Sequence, residues 1–96
     1  MSEINNLAFG YNNVTTNATT TVKRGSGILH AIVINTKGAS ANTVTIYDNT
    51  AASGTKIGTI DSTAVTGTIL FDARFGTGLT VVTATGTAPD MTVVFR

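Results

Sequence analysis

The sequence predicts an all-β protein: an antiparallel β-sandwich, jelly-roll-like, with seven or eight strands and essentially no helix. Three observations carry this. Threonine fills 20 of 96 positions, nearly all in stretches of period 2; being β-branched, it is stiff at χ1 and fits a pleated strand better than a helix. Short apolar runs recur at regular intervals, separated by turns that use most of the ten glycines. No segment repeats apolar residues at i, i+3, i+4 and i+7 over three turns. A chain of 96 residues with 42% apolar content makes one independently folding domain.

The elements follow in order. Leu7, Phe9 and Tyr11 alternate with Ala8, Gly10 and Asn12, which describes an edge strand or an arm laid on a neighbouring subunit. The chain therefore divides into residues 1–12, arm or edge strand, and residues 13–96, the sandwich. Val14 to Lys23 reads as one long, Thr-covered surface strand, closed by the turn Arg24-Gly25-Ser26-Gly27. Ile28 to Asn35 is apolar on both faces, with Ile28, Ile32 and Ile34 on one and Leu29, Ala31 and Val33 on the other. Such a strand is central or is covered by a partner. Thr43 to Asp48 alternates with Val44 and Ile46 inward. In Lys56 to Asp61, Ile57 and Ile60 stand three apart around Gly58, which predicts a β-bulge. Thr68 to Phe75 places Ile69, Phe71, Ala73 and Phe75 on one face, and Asp72 and Arg74 on the other. Leu79 to Thr85 and Met91 to Arg96 complete the set. The expected core is Val22, Ile32, Ile34, Val44, Ile46, Ile57, Ile60, Ile69, Phe71, Phe75, Val81, Val93 and Phe95.

Composition narrows the function classes. Charged residues are 11% and the net charge is +1, with Lys23-Arg24 the one adjacent basic pair. Direct nucleic-acid binding, which needs clustered Lys or Arg against phosphates, is not expected. The chain has no cysteine, hence no disulfide, thiolate nucleophile or Cys-based zinc site. No apolar run approaches 18 residues, so no membrane helix is expected. Met1 to Asn6 lacks the basic and apolar regions of a secretory signal, so use without export is expected.

Residues suited to catalysis are few. His30, the single histidine, sits among Ile28, Leu29, Ala31 and Ile32 with no base, nucleophile or further ligand near it in sequence. Glu3, Asp48, Asp61, Asp72 and Asp90 are mostly at strand ends, where Asp makes Asx turns. Asp72 and Arg74 share a strand face and should pair with cross-strand neighbours. Calcium ligation at Asp48-Asn49-Thr50 lacks the dense acidic repeat of a dedicated loop. Gly25-Ser26-Gly27 precedes a strand rather than a helix, so it does not form a phosphate loop. The sequons at Asn13 and Asn17 are expected by chance in so Asn- and Thr-rich a chain. No tryptophan and two tyrosines argue against a sugar-stacking platform. The expectation is a protein that is not an enzyme, with no catalytic or metal residues and no cofactor. Leu7, Phe9 and Tyr11 are the candidate protein-contact residues.

The segments Gly27-Ile-Leu-His-Ala-Ile-Val-Ile-Asn-Thr, Thr43-Val-Thr-Ile-Tyr-Asp-Asn-Thr, Ser53-Gly-Thr-Lys-Ile-Gly-Thr-Ile-Asp and the ending from Gly78 to Arg96 resemble small virion β-sandwich proteins of tailed phages. The resemblance covers about residues 25–96. It implies a protein of the virion, made in the host bacterial cytoplasm, that binds proteins and performs no chemistry. It leaves open a capsid decoration (cement) protein, which stabilises the shell across subunit junctions, and a receptor- or carbohydrate-binding module of a tail or fibre. The partners implied are a major capsid or other virion protein and further copies of the chain, as a trimer first and a dimer second. If residues 1–12 are an arm, removing them should leave the melting temperature nearly unchanged.

Overall fold

A computed structural model describes residues 8–96. They form β1 (Gly10–Val14), β2 (Thr19–Arg24), β3 (Gly27–Thr36), β4 (Thr43–Asp48), β5 (Thr55–Asp61), β6 (Gly67–Phe75), β7 (Gly78–Ala84) and β8 (Asp90–Phe95). Sheet A has the order β1-β8-β3-β6 and sheet B the order β2-β7-β4-β5. Every pairing is antiparallel. The pairs β1–β8, β2–β7, β3–β6 and β4–β5 are nested: the chain is one long hairpin with its tip between β4 and β5. Rolling that hairpin adds the pairs β3–β8 and β4–β7 and closes a jelly-roll sandwich.

The core lies between the sheets. Leu29, Ile32, Ile34, Val44, Ile46, Phe75, Leu79, Val81, Met91 and Val93 are buried in it. Val22, Ile57, Ile69, Phe71 and Phe95 pack against it while keeping some exposure. All thirteen residues expected in the core belong to this cluster. Val14, Leu29, Leu79 and Met91 join them unforeseen.

Two strand assignments change. Val14 to Lys23 is not one strand: Val14 ends β1 in sheet A, and Thr19 begins β2 in sheet B. Asn17 makes the corner between them, its amide donating to the Gly86 carbonyl at 2.9 Å. A Thr-rich run has the same period on either side of such a corner, so propensity alone hides it. The faces of β3 also differ from expectation. Leu29 pairs with Phe95 and Ala31 with Val94, so His30 is an inserted residue. Before this bulge the odd residues point inward, and after it the even ones. Leu29 is therefore a core residue, while Ile28 stands opposite exposed Arg74. The bulge in β5 falls at Ile57, beside Gly58, and lets Ile57 and Ile60 both face the core. An added Cβ at Gly58 would press on the Phe71 ring, 3.0 Å from its Cε2.

Gly10, Tyr11 and Asn12 pair with Phe95, Val94 and Val93, so β1 is the edge strand of sheet A. Leu7 lies outside the described residues.

Candidate functional site

Alternation from the buried core fixes which residues face outward on each sheet. On sheet B, Val44, Ile46, Ile60 and Val81 point inward. Their neighbours form an outer row, Thr19-Val82-Thr45-Thr59, in register across all four strands. Thr43 and Ala84 continue it on the central strands. Further along, Thr21 and Thr80 lie under the β4–β5 loop: Thr80 donates to the Asn49 carbonyl at 2.8 Å and Thr21 to the Thr50 carbonyl at 3.3 Å. Much of the strand threonine thus gathers on one face, where edge strand β5 adds exposed Asp61 opposite Thr43 and exposed Lys56 opposite Tyr47.

The outer face of sheet A is different. Tyr11, Val94, Ala31 and Leu70 form an apolar row in register across its four strands. Tyr11 is 75% exposed and Leu70 65%. Of the four exposed large hydrophobic residues among those described, Phe9, Tyr11 and Leu70 are on this face.

The bulge in β3 places His30 opposite Phe71 and Asp72 of β6, and His30 Nδ1 meets Asp72 Oδ1. Asp72 adopts a φ of 48°, the left-handed conformation that Asp tolerates better than most residues. The Phe9 ring stacks on the imidazole, centroids 4.5 Å apart, and the Arg96 guanidinium lies 5.5 Å from the Phe9 centroid. Phe9 is therefore engaged within its own chain, whereas Tyr11 presents its ring outward. Sequence spacing could not pair residues 30 and 72; the signal was the shared outer parity of Asp72 and Arg74. A His–Asp pair can orient an imidazole for base catalysis, but the nucleophile and oxyanion donors of such a site are further requirements. Here the imidazole carries a stacked ring on one side. Beside it, Ser26, Gly27, Ile28 and Arg74 line a hollow of about 200 Å³. Small-molecule sites run to roughly 300–1,000 Å³.

Among the described residues, the remaining side-chain carboxylates serve the fold. Asp48 accepts the backbone N–H groups of Gly76 and Thr77, at 3.0 and 2.9 Å, and that of Gly78 more weakly. These amides hold its carboxyl below the usual carboxylate range. The calcium ligand considered at this loop is thus a turn-capping group. Asp61 is lowered by the Thr63 hydroxyl and amide. Asp90 is lowered by the side-chain amides of Asn13 and Asn35. Among the described residues, no three His, Asp or Glu side chains group to hold a metal, and no helix is long and apolar enough to cross a membrane.

Comparison with family models, with curated proteins and with solved structures finds no match to this chain.

Proposed function

We propose that this chain is a non-enzymatic structural protein of a tailed-phage particle, acting as a capsid decoration protein that binds across shell-subunit junctions. The observation that carries the reading is the outer face of sheet B, with Thr19, Val82, Thr45 and Thr59 in one row over the buried core. Threonine stays wettable through its hydroxyl, yet costs far less to desolvate than Lys or Glu. Such a face suits a protein that folds alone and then docks. The resemblance of residues 25–96 to small phage virion proteins supports the same reading. The mechanism is passive: area buried across a junction must be re-exposed before the shell subunits can part, so bound copies shift the equilibrium toward the closed shell.

A second reading, a receptor- or carbohydrate-binding module of a tail or fibre, is favoured by the outward ring of Tyr11, since apolar sugar faces stack on aromatic rings. Two assays on the purified protein separate them. Saturable binding to undecorated shells of the encoding phage, with no signal on a glycan array, is the expected result. Glycan binding without shell binding reverses the order.

A further inference from the structure

We propose that one end of the sandwich carries a binding site for a single oxyanion, a carboxylate or phosphate group, in the hollow between the Arg24–Gly27 turn and Arg74. The proposal concerns the isolated chain and does not depend on the virion reading.

Strand ends distribute the charge. β2 closes on Lys23 and Arg24, β5 opens on Thr55 and Lys56, β6 closes on Arg74 and Phe75, and Arg96 follows β8. The register brings these termini to one end: Arg24 pairs with Gly78, Gly27 with Phe75 and Leu29 with Phe95. Five of the six basic residues therefore share this end, while Lys37 is at the other with Asp61 and Asp90. The described acids at the basic end are both engaged. Asp48 accepts the amides of Gly76, Thr77 and Gly78, and Asp72 meets His30. Among the described residues, no carboxylate lies within ion-pairing distance of Lys23, Arg24 or Arg74.

The hollow, of about 200 Å³, is lined by Ser26, Gly27, Ile28 and Arg74. Arg74 stands opposite Ile28 across the β3–β6 pair and is exposed. Its planar fork of donors matches a carboxylate or a phosphate. Ser26, exposed in the turn, adds a hydroxyl. A Cβ added at Gly27 would stand 3.0 Å from Lys23 Nζ, so the ammonium lies against this lining residue and adds its charge from sheet B. The turn leads into a strand, so no helix dipole takes part and side chains supply the charge. The Arg96 guanidinium, engaged over Phe9, is not required.

The ligand is one group rather than a chain of phosphates. Polyanion binding needs clustered cations along a track, and Asp48 and Asp72 interrupt this one. Two cations on an exposed anion give an affinity on the order of 1–10 mM at low ionic strength.

The test is two-dimensional ¹⁵N NMR of the full chain at neutral pH and constant low ionic strength, titrated with sodium phosphate and, separately, with a capped glutamate. The expected result is saturable shifts centred on the Ser26, Gly27 and Ile28 amides and the Arg74 Nε–H. Arg74→Gln should weaken binding about fivefold or more, and Lys23→Gln roughly twofold, through lost charge-assisted contact and lost field. Lys56→Gln removes a charge from the same end but from the outer face of sheet B, and should leave binding nearly unchanged. The spectra show whether each variant is folded. Should Arg74→Gln fail to fold, Ser26→Asp, which sets an anion in the hollow, takes its place and should abolish binding. Tighter phosphate binding assigns the site to a phosphate ligand, and tighter glutamate binding to an acidic side chain of a partner protein. No saturable shift from either probe up to about 50 mM, shifts centred elsewhere, or equal losses in Arg74→Gln and Lys56→Gln would each overturn the proposal. None of these outcomes bears on shell binding by sheet B.

Discussion

Asn42 accepts the Ser62 hydroxyl proton on its Oδ1 at 2.6 Å, with both side chains closed to solvent. The Asn42 amide group donates to Asn17 Oδ1 at 2.8 Å and to the Thr85 carbonyl at 2.8 Å. One buried side chain thus ties together the β1–β2 corner, the end of β5 and the β7–β8 loop. Replacing it by Ala leaves buried donors and acceptors without partners. Asn42→Ala should cost roughly 2–3 kcal/mol, read as a lower urea midpoint with an unchanged slope.

Gly86 lies in the same corner with φ of 56°, and an added Cβ would collide with the Ala39 and Ser40 carbonyl oxygens. Gly86→Ala combines a steric collision with a left-handed backbone. It should be at least as damaging as Asn42→Ala, and thermal melting orders the two.

Acid should destabilise the fold through Asp48, Asp61 and Asp90. Each has a folded pKa lowered from 3.8. A depressed folded pKa means that the unfolded chain binds protons first. The stabilisation is complete above that unfolded value and is lost as pH falls through the lower, folded values. Melting temperatures should be level from neutral pH to about 5 and then decline. Asp48→Asn should lower the neutral-pH value and flatten the decline, because its capping charge no longer titrates.

Much of the fold was legible because the strands announce themselves. Thr43–Asp48 begins and ends where its alternation does, and the bulge predicted around Gly58 lies one residue away, at Ile57. What escaped was information carried between strands. The inserted His30 inverts the phase of β3, and no local pattern marks it, since Ile28 to Ile34 is apolar on both faces. The Asn42–Ser62–Asn17 cluster joins residues 25 and 20 positions apart whose types alone read as loop. Phe9 and Tyr11 stand out in the sequence as candidate protein-contact residues; their partition, one stacked on His30 and one open, needed the register of β1 on β8.

Residues 1–12 include three of the five paired positions of β1. Their removal uncovers the edge of β8 and the Asn13–Asp90 bond at its border. Deleting them should therefore lower the melting temperature. A shift beyond about 5 °C, or roughly 1 kcal/mol for a domain of this size, is the expected outcome. An unchanged melting temperature would mean that β1 contributes no net stability and serves as an arm.

Asp72→Asn should be nearly silent toward stability, whereas Asp72→Val should cost roughly 1–2 kcal/mol, because a β-branched residue resists a φ of 48°. Chemical denaturation of the two variants side by side reads this difference.

Shell binding with a charged sheet B face tests the central claim most directly. Thr45→Lys with Thr59→Glu places opposite charges at directly paired positions, so the sheet keeps a cross-strand pair while the face gains two ions to desolvate. Wild-type protein should bind undecorated shells saturably, and the folded double variant should bind at least 30-fold more weakly, about 2 kcal/mol. Equal binding by the two proteins, or no binding by wild type, would contradict the assignment of that face.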